Sequence, residues 1–314
     1  MKRTTFLAAT GGTIVTSLGG IARAADSEIT LTTATGSIYG TLTLPEKLPA
    51  PVVLIIAGSG PTDRNGNSGA VQANTYALLA AALVARGVAT VRYDKRGIAA
   101  SAAAGPSEDD LRFDMYVDDA AAWLHMLAAD KRFSKIVVAG HSEGSLLGML
   151  AVQRAPASAY VSLEGAGRRA PAILREQLKP KLPAALYAQA DAALTQLSQG
   201  HTVPNPPPEL ASLFRPSVQP YLISWFKYDP AVEMARLKIP ATIVQGTADV
   251  QVTLVDANIL KQADPSASLV IVQGMNHMLK YAPDTSSQAA ILKGYTDSLL
   301  PIEPHVVEAI VAAS

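Results

Sequence analysis

The residues with the clearest chemical potential are Gly140-His141-Ser142-Glu143-Gly144. A serine framed as G-x-S-x-G, after the β-branched pair Val137-Val138 and before a run of helix formers, marks a sharp strand-to-helix elbow that pushes the hydroxyl into the open. Glycine is required on either side because side chains at 140 and 144 would collide in so tight a turn. A serine hydroxyl is too weakly acidic to attack a carbonyl unaided. It needs a base within hydrogen-bond reach, and the base needs an acid to orient it. After such an elbow the acid and then the histidine follow in chain order. Asp249 follows the apolar run 241–245, and His277 follows the run 268–272. Both fall just past the carboxyl ends of predicted strands, where open α/β sheets place their ligand sites. The expected set is Ser142 as nucleophile, His277 as general base and then acid, and Asp249 as its orienter.

Other residues compete for these roles. Glu164 also ends a predicted strand and is the main rival acid, whereas Asp256 and Asp264 read as solvated or capping groups. His141 should point away from the nucleophile and pack behind it. His125, His201 and His305 lie on predicted helical or inserted segments and read as surface or structural residues. No two histidines show metal-ligand spacing such as H-E-x-x-H, so no metal is expected. The developing oxyanion needs backbone donors. One should be the N–H of Glu143, directly after the nucleophile, and the other the N–H of Ser59 in the glycine-rich loop 58–66. That loop lacks the G-x-x-x-x-G-K-[ST] pattern of a phosphate cradle. Within it Asp63 and Arg64 are expected to pair. Ser224-Trp225-Phe226-Lys227 matches S-x-x-K, but without its companion S-D-N and K-T-G elements it reads as a chance match.

The 314 residues carry 26 basic and 26 acidic side chains and no cysteine. A balanced charge with no long basic block argues against nucleic acid as a partner. The lack of cysteine excludes disulfides, thiolate metal sites and a cysteine nucleophile. Charged residues make up 17% and hydrophobic ones 49%, which implies a large apolar interior. Lys2-Arg3, a glycine-softened apolar run over 6–21 and Ala22-Arg23-Ala24 resemble an export signal spanning 1–24 and cut before Ala25. The expected location is periplasmic or secreted, with no stable membrane anchor once the signal is removed.

Elements must position these groups. Residues 29–33 and 37–44 alternate apolar and polar around Gly36, predicting an antiparallel hairpin at a sheet edge. Strand runs at 52–57, 88–93, 135–139 and 160–164 then alternate with helical stretches at 75–86, 111–128 and 145–154. Asn74 is the expected N-cap and Gly87 the stop of the first helix. Such a rhythm predicts a mostly parallel sheet covered on both faces. It breaks between 171 and 228, where a helical stretch at 184–197, a proline-rich run and scattered aromatics suggest a cap inserted into the sheet. The expected division is a first core part over 25–168, a helical lid over 169–236 and a second core part over 237–314.

Gly58-Ser59-Gly60-Pro61-Thr62-Asp63-Arg64-Asn65-Gly66, Arg92-Tyr93-Asp94-Lys95-Arg96-Gly97-Ile98 and Gly140-His141-Ser142-Glu143-Gly144 resemble the α/β-hydrolase superfamily. Within it the phrases are similar to bacterial esterases of the esterase D type and to the broader serine-aminopeptidase-like hydrolases. One departure is that Ala57-Gly58 stands where His-Gly is usual before the oxyanion loop. The resemblance implies an α/β-hydrolase fold of eight mostly parallel strands, a helical lid after the sixth strand, no cofactor, and hydrolysis of small-molecule carboxylic esters. Phe214, Tyr221, Trp225 and Phe226 of the insertion are expected to wall a pocket for a short to medium acyl chain. A peptidase releasing N-terminal residues is the alternative chemistry. It needs an acid such as Glu143 or Glu164 to hold the substrate ammonium. A non-catalytic binding module on the same scaffold is the third reading.

Overall fold

The computed structural model describes residues 26–69 and 71–314, so the predicted export signal lies outside the described residues. The described residues open with an antiparallel hairpin of β1 (Asp26–Thr33) and β2 (Gly36–Thr43), followed by β3 (Ala50–Ile56). A short ribbon of β4 (Asn67–Ser68) and β5 (Val71–Gln72) leads into α1 (Thr75–Val84) and β6 (Ala89–Tyr93). Next come α2 (Phe113–Ala128), β7 (Phe133–His141), α3 (Glu143–Val152) and β8 (Ala159–Leu163). Five helices follow without a strand: α4 (Ala170–Leu178), α5 (Ala184–Ser198), α6 (Ala211–Phe214), α7 (Gln219–Phe226) and α8 (Pro230–Ala235). The alternation resumes with β9 (Ala241–Gly246), α9 (Leu254–Ala263) and β10 (Ser268–Val272), and ends with α10 (Gln288–Thr296) and α11 (Pro304–Ala313).

Eight strands form one sheet in the order β1-β2-β6-β3-β7-β8-β9-β10, parallel except for the edge hairpin and its junction with β6. Strand side chains alternate between the two faces. Val52, Leu54, Ile56 and Val138 face α2, α3 and α9, whereas Val53, Ile55, Val137 and Ala139 face α1 and α11. Both faces of the central strands are therefore dry, which explains why β3 and β7 read as continuous apolar runs rather than as alternating ones. Helices α4–α8 pack on the α2, α3 and α9 side and extend that core with Leu194, Leu197, Phe214 and Phe226.

Two local expectations need correction. Asn74 does precede α1, but its backbone is left-handed and its side chain makes no capping bond. Instead its amide oxygen accepts from Asn67 Nδ2 at 2.9 Å, and Asn67 Oδ1 holds the Asn74 N–H at 2.9 Å, so the two asparagines clasp the β4–β5 ribbon. Asp63 and Arg64 do not pair. Arg64 reaches Asp94, through its backbone N–H at 2.7 Å and its guanidinium at 2.9–3.0 Å, while Asp63 Oδ1 accepts the N–H groups of Asn65 and Asn67. Adjacent residues in a turn diverge, and the carboxylate at the end of β6 lies closer to the arginine.

Candidate active site

Ser142 sits between β7 and α3 at φ 55° and ψ −120°. A non-glycine residue held there stores strain of about 1–3 kcal/mol, and it persists only when the surroundings impose it. The Ser142 N–H donates to Leu163 O of β8 at 2.9 Å. A Cβ on Gly140 would overlap the backbone of Gly144, and one on Gly144 would overlap the carbonyls of Ile56 and Ala57. Only glycine at both positions lets α3 leave so steeply beside β3.

The loops after β9 and β10 bring Asp249 and His277 together. His277 Nδ1 lies 2.6 Å from Asp249 Oδ2, and both residues are buried. The loops are joined by Thr247 N–H to Val272 O and Ala248 N–H to Met275 O, both at 3.0 Å. Asp249 Oδ1 accepts the N–H groups of Gln251 at 2.7 Å and Val252 at 3.0 Å. Burial pushes the Asp249 carboxyl up. The charge and hydrogen bond of His277, with the Glu164 and Val252 contacts, outweigh that and hold it below the usual carboxylate range.

Glu164, the rival acid, is close but does not pair with the imidazole. One oxygen of Glu164, one of Asp249 and one ring nitrogen of His277 lie within 4.8 Å of one another. Glu164 is fully buried at φ 50°. Its Oε1 accepts Gly246 N–H at 2.9 Å, and Gln245 Nε2 donates to Oε2. Burial pushes its carboxyl well above the usual carboxylate range, and the Asp249 charge pushes it further. Both effects favour the neutral form of Glu164 beside the Asp249 carboxylate. Asp256, expected to be solvated or capping, caps α9 from a buried position and also receives a two-pronged bond from Arg168 at 2.7–2.9 Å.

A cleft holding about 600 Å³ of empty space, part of it open to solvent, lies over the elbow. Ser142, Ser59 and Glu143 line its floor, so the two expected donor loops flank the nucleophile. Leu146, Ile173, Leu174, Trp225 and Val252 give it apolar walls, interrupted by the polar side chains of Arg168, Gln177 and Gln251. Among the four insertion aromatics expected at the pocket, only Trp225 lines it, stacked on Phe113 at 5.9 Å between centroids. Phe214 and Phe226 are buried in the core beneath the inserted helices, and Tyr221 turns its hydroxyl to Glu143 Oε2 at 3.0 Å. Helical periodicity decides this: on α7, Trp225 projects from a different face than its neighbour Phe226. Ser224 of the S-x-x-K match is buried, bonding to Tyr221 O and the Phe113 N–H, while Lys227 is exposed.

Three groups were not legible as site residues. Tyr76 of α1 accepts Gly58 N–H at 3.0 Å and lies 2.8 Å from His141 Nδ1. Lys95 Nζ, buried, donates to Gly58 O at 2.6 Å and lies 3.3 Å from Glu143 Oε1. Gln245 spans Glu164 and the Val252 carbonyl. Lys95 stands in the Arg92–Ile98 phrase noted in the sequence, but no spacing rule links it to residues 58 and 143. Of the remaining histidines, His125 and His201 are exposed, and His305 is exposed beside Glu303.

A family model described as serine aminopeptidase, S33, matches residues 69–305. Esterase EstD of Thermotoga maritima is 26% identical over 263 residues, which cover 82% of this chain and 62% of that protein. The chain thus spans less than two thirds of the length of this relative. Among solved structures, Est1E from Butyrivibrio proteoclasticus superimposes with a TM-score of 0.57 at 17% identity, over 90% of this chain and 99% of that one. An esterase from Pyrococcus furiosus does so with a TM-score of 0.55 at 15% identity, over 81% and 84%.

Proposed function

The chain belongs to the serine aminopeptidase S33 family of α/β hydrolases, and from that premise we propose that it cleaves carboxylic esters through an acyl-enzyme intermediate. The observation that carries this reading is the 2.6 Å bond between His277 and Asp249, together with a strained Ser142 that opens into a partly apolar cleft. In the proposed reaction Ser142 Oγ attacks the ester carbonyl and His277 takes its proton. Asp249 holds the imidazole so that the nitrogen away from the carboxylate is the basic one. The N–H groups of Ser59 and Glu143 receive the oxyanion. His277 then gives its proton to the leaving alcohol, and water repeats the sequence on the acyl-enzyme.

Ester cleavage is favoured over release of N-terminal residues by the fate of the two acids that could hold a substrate ammonium. The Glu143 carboxylate is already occupied by Lys95 and Tyr221, and Glu164 is fully buried with its oxygens bonded to Gly246 and Gln245. The apolar side chains of Leu146, Ile173, Leu174 and Trp225 suit a short to medium acyl chain. We take the helical segment 169–236 as a lid over this cleft. The signal-like residues 1–24 support export, and N-terminal sequencing of periplasmic protein beginning at Ala25 is the check.

The test is turnover of p-nitrophenyl butyrate and of aminoacyl anilides by the wild type and Ser142→Ala. Ester turnover that vanishes in the variant, with anilides untouched, is the expected result. Faster anilide turnover would transfer the reading to peptide chemistry, and full activity in Ser142→Ala would remove the nucleophile.

A further inference from the structure

The carbonyl of Gly58 and the N–H of Ser59 belong to a single peptide unit. We propose that Lys95 is the positioning residue of the oxyanion hole: its ammonium holds that peptide plane and, through Glu143, the elbow, so that both backbone donors face one point of the cleft. The inference rests on the serine-hydrolase reading above.

A trans peptide is planar and directs its C=O and N–H to opposite sides. Lys95 Nζ, 2.6 Å from Gly58 O, therefore sets the direction of the N–H of Ser59, a residue that lines the cleft. The preceding peptide is fixed independently, because the Gly58 N–H donates to Tyr76 Oη at 3.0 Å. A cation at the carbonyl also polarises the peptide and strengthens its N–H as a donor. The second contact of Lys95 is Glu143 Oε1 at 3.3 Å, on the residue whose own N–H is the other donor. Both side chains are only 2% exposed, and the ammonium lies 5.1 Å from the centre of the Tyr116 ring. Burying an ammonium is unfavourable unless charge and hydrogen bonds compensate it. The fold of this chain supplies that compensation at the one place where two loops must be aligned over the nucleophile. Tyr221 Oη, bonded to Glu143 Oε2, closes the cluster from the inserted helices.

The experiment compares Lys95→Met with the double variant Lys95→Met/Glu143→Gln, which avoids leaving a buried carboxylate unpaired. Four quantities are read: kcat and KM on p-nitrophenyl butyrate, the rate of fluorophosphonate labelling at Ser142, and the thermal midpoint. The phosphonyl oxygen uses the same hole, so labelling reports on it without an ester substrate. Both kcat and the labelling rate should fall by roughly a hundredfold, the scale of losing one oxyanion donor, with KM nearly unchanged. The double variant should melt near the wild type. A folded double variant that keeps its kcat and labelling rate within about threefold of wild type overturns the role of Lys95 but leaves the serine-hydrolase reading standing. A loss confined to KM overturns it equally. A wild type that takes no label at Ser142 removes both.

Discussion

His141 Nε2 donates to the backbone carbonyl of His277 at 2.8 Å, so the residue before the nucleophile holds the residue expected to act as its base. A carbonyl only accepts, which places the ring proton on Nε2. His141 Nδ1 must then accept from Tyr76 Oη, 2.8 Å away, and Tyr76 Oη itself accepts from Gly58 N–H. One chain of hydrogen bonds thus joins the oxyanion loop, the elbow and the histidine loop. The two rings lie 4.8 Å apart.

This arrangement requires a neutral His141. Burial, aided by the charge of His277, pushes its imidazole down to about 3 from an ordinary 6.5. The unfolded chain takes up that proton near 6.5 and the folded chain resists it, so the contribution to stability is complete above 6.5 and is lost as pH falls. Urea unfolding of the wild type should show a loss on the order of 2 kcal/mol from this group between pH 7 and pH 5. In His141→Phe that part of the slope should disappear, and stability at pH 7 should drop by about 1–3 kcal/mol because the carbonyl and the tyrosine lose their partner. An unchanged pH slope would show that the ring takes up its proton in the folded protein as it does in the unfolded chain.

Asp249→Asn should keep the fold and lower kcat by about 10⁴, since an amide stabilises the wrong tautomer of its histidine partner. Steady-state kinetics on a p-nitrophenyl ester reads this directly. A greater loss in Glu164→Gln than in Asp249→Asn would transfer the orienting role to Glu164.

Glu164 makes a prediction whose sign identifies its protonation. The charged and titratable groups around His277 are Asp249, Glu164 and His141, and Tyr295 lies near the two carboxyls. A neutral Glu164 would draw charge density from Asp249. Glu164→Leu should therefore strengthen the Asp249–His277 pair and move the acid limb of kcat/KM to higher pH. Glu164→Gln keeps a donor and should leave the limb in place. An ionised Glu164 would instead support a protonated base, and both variants would then move the limb to lower pH.

Neighbouring aromatics on α7 should separate function from stability. Trp225 borders the cleft, so Trp225→Ala should change KM and extend activity to longer acyl chains in a p-nitrophenyl ester series, with little effect on the unfolding midpoint. Phe226 is 2% exposed within the core, and Phe226→Ala should cost about 3–5 kcal/mol in denaturant unfolding. Equal effects of the two on acyl preference would mean that the inserted helices rearrange around substrate.

The sequence by itself determined the elbow at Ser142, the parallel sheet and the strand ends that carry Asp249 and His277. These follow from local constraints: glycines where a Cβ would overlap backbone, β-branched runs for strands dry on both faces, and loops that begin where those runs stop. The tertiary structure decided what depends on distance through space and on burial. Glu164 and Asp249 follow adjacent strands and look alike in one dimension. Only burial beside a second carboxyl pushes the Glu164 carboxyl up, while the charge and hydrogen bond of His277 hold that of Asp249 down. Likewise, which aromatic of α7 meets the cleft is a matter of helix rotation against α2 and α3. The bond from Lys95 to Gly58 joins residues 37 positions apart, because β3 and β6 run side by side and deliver both to the same end of the sheet.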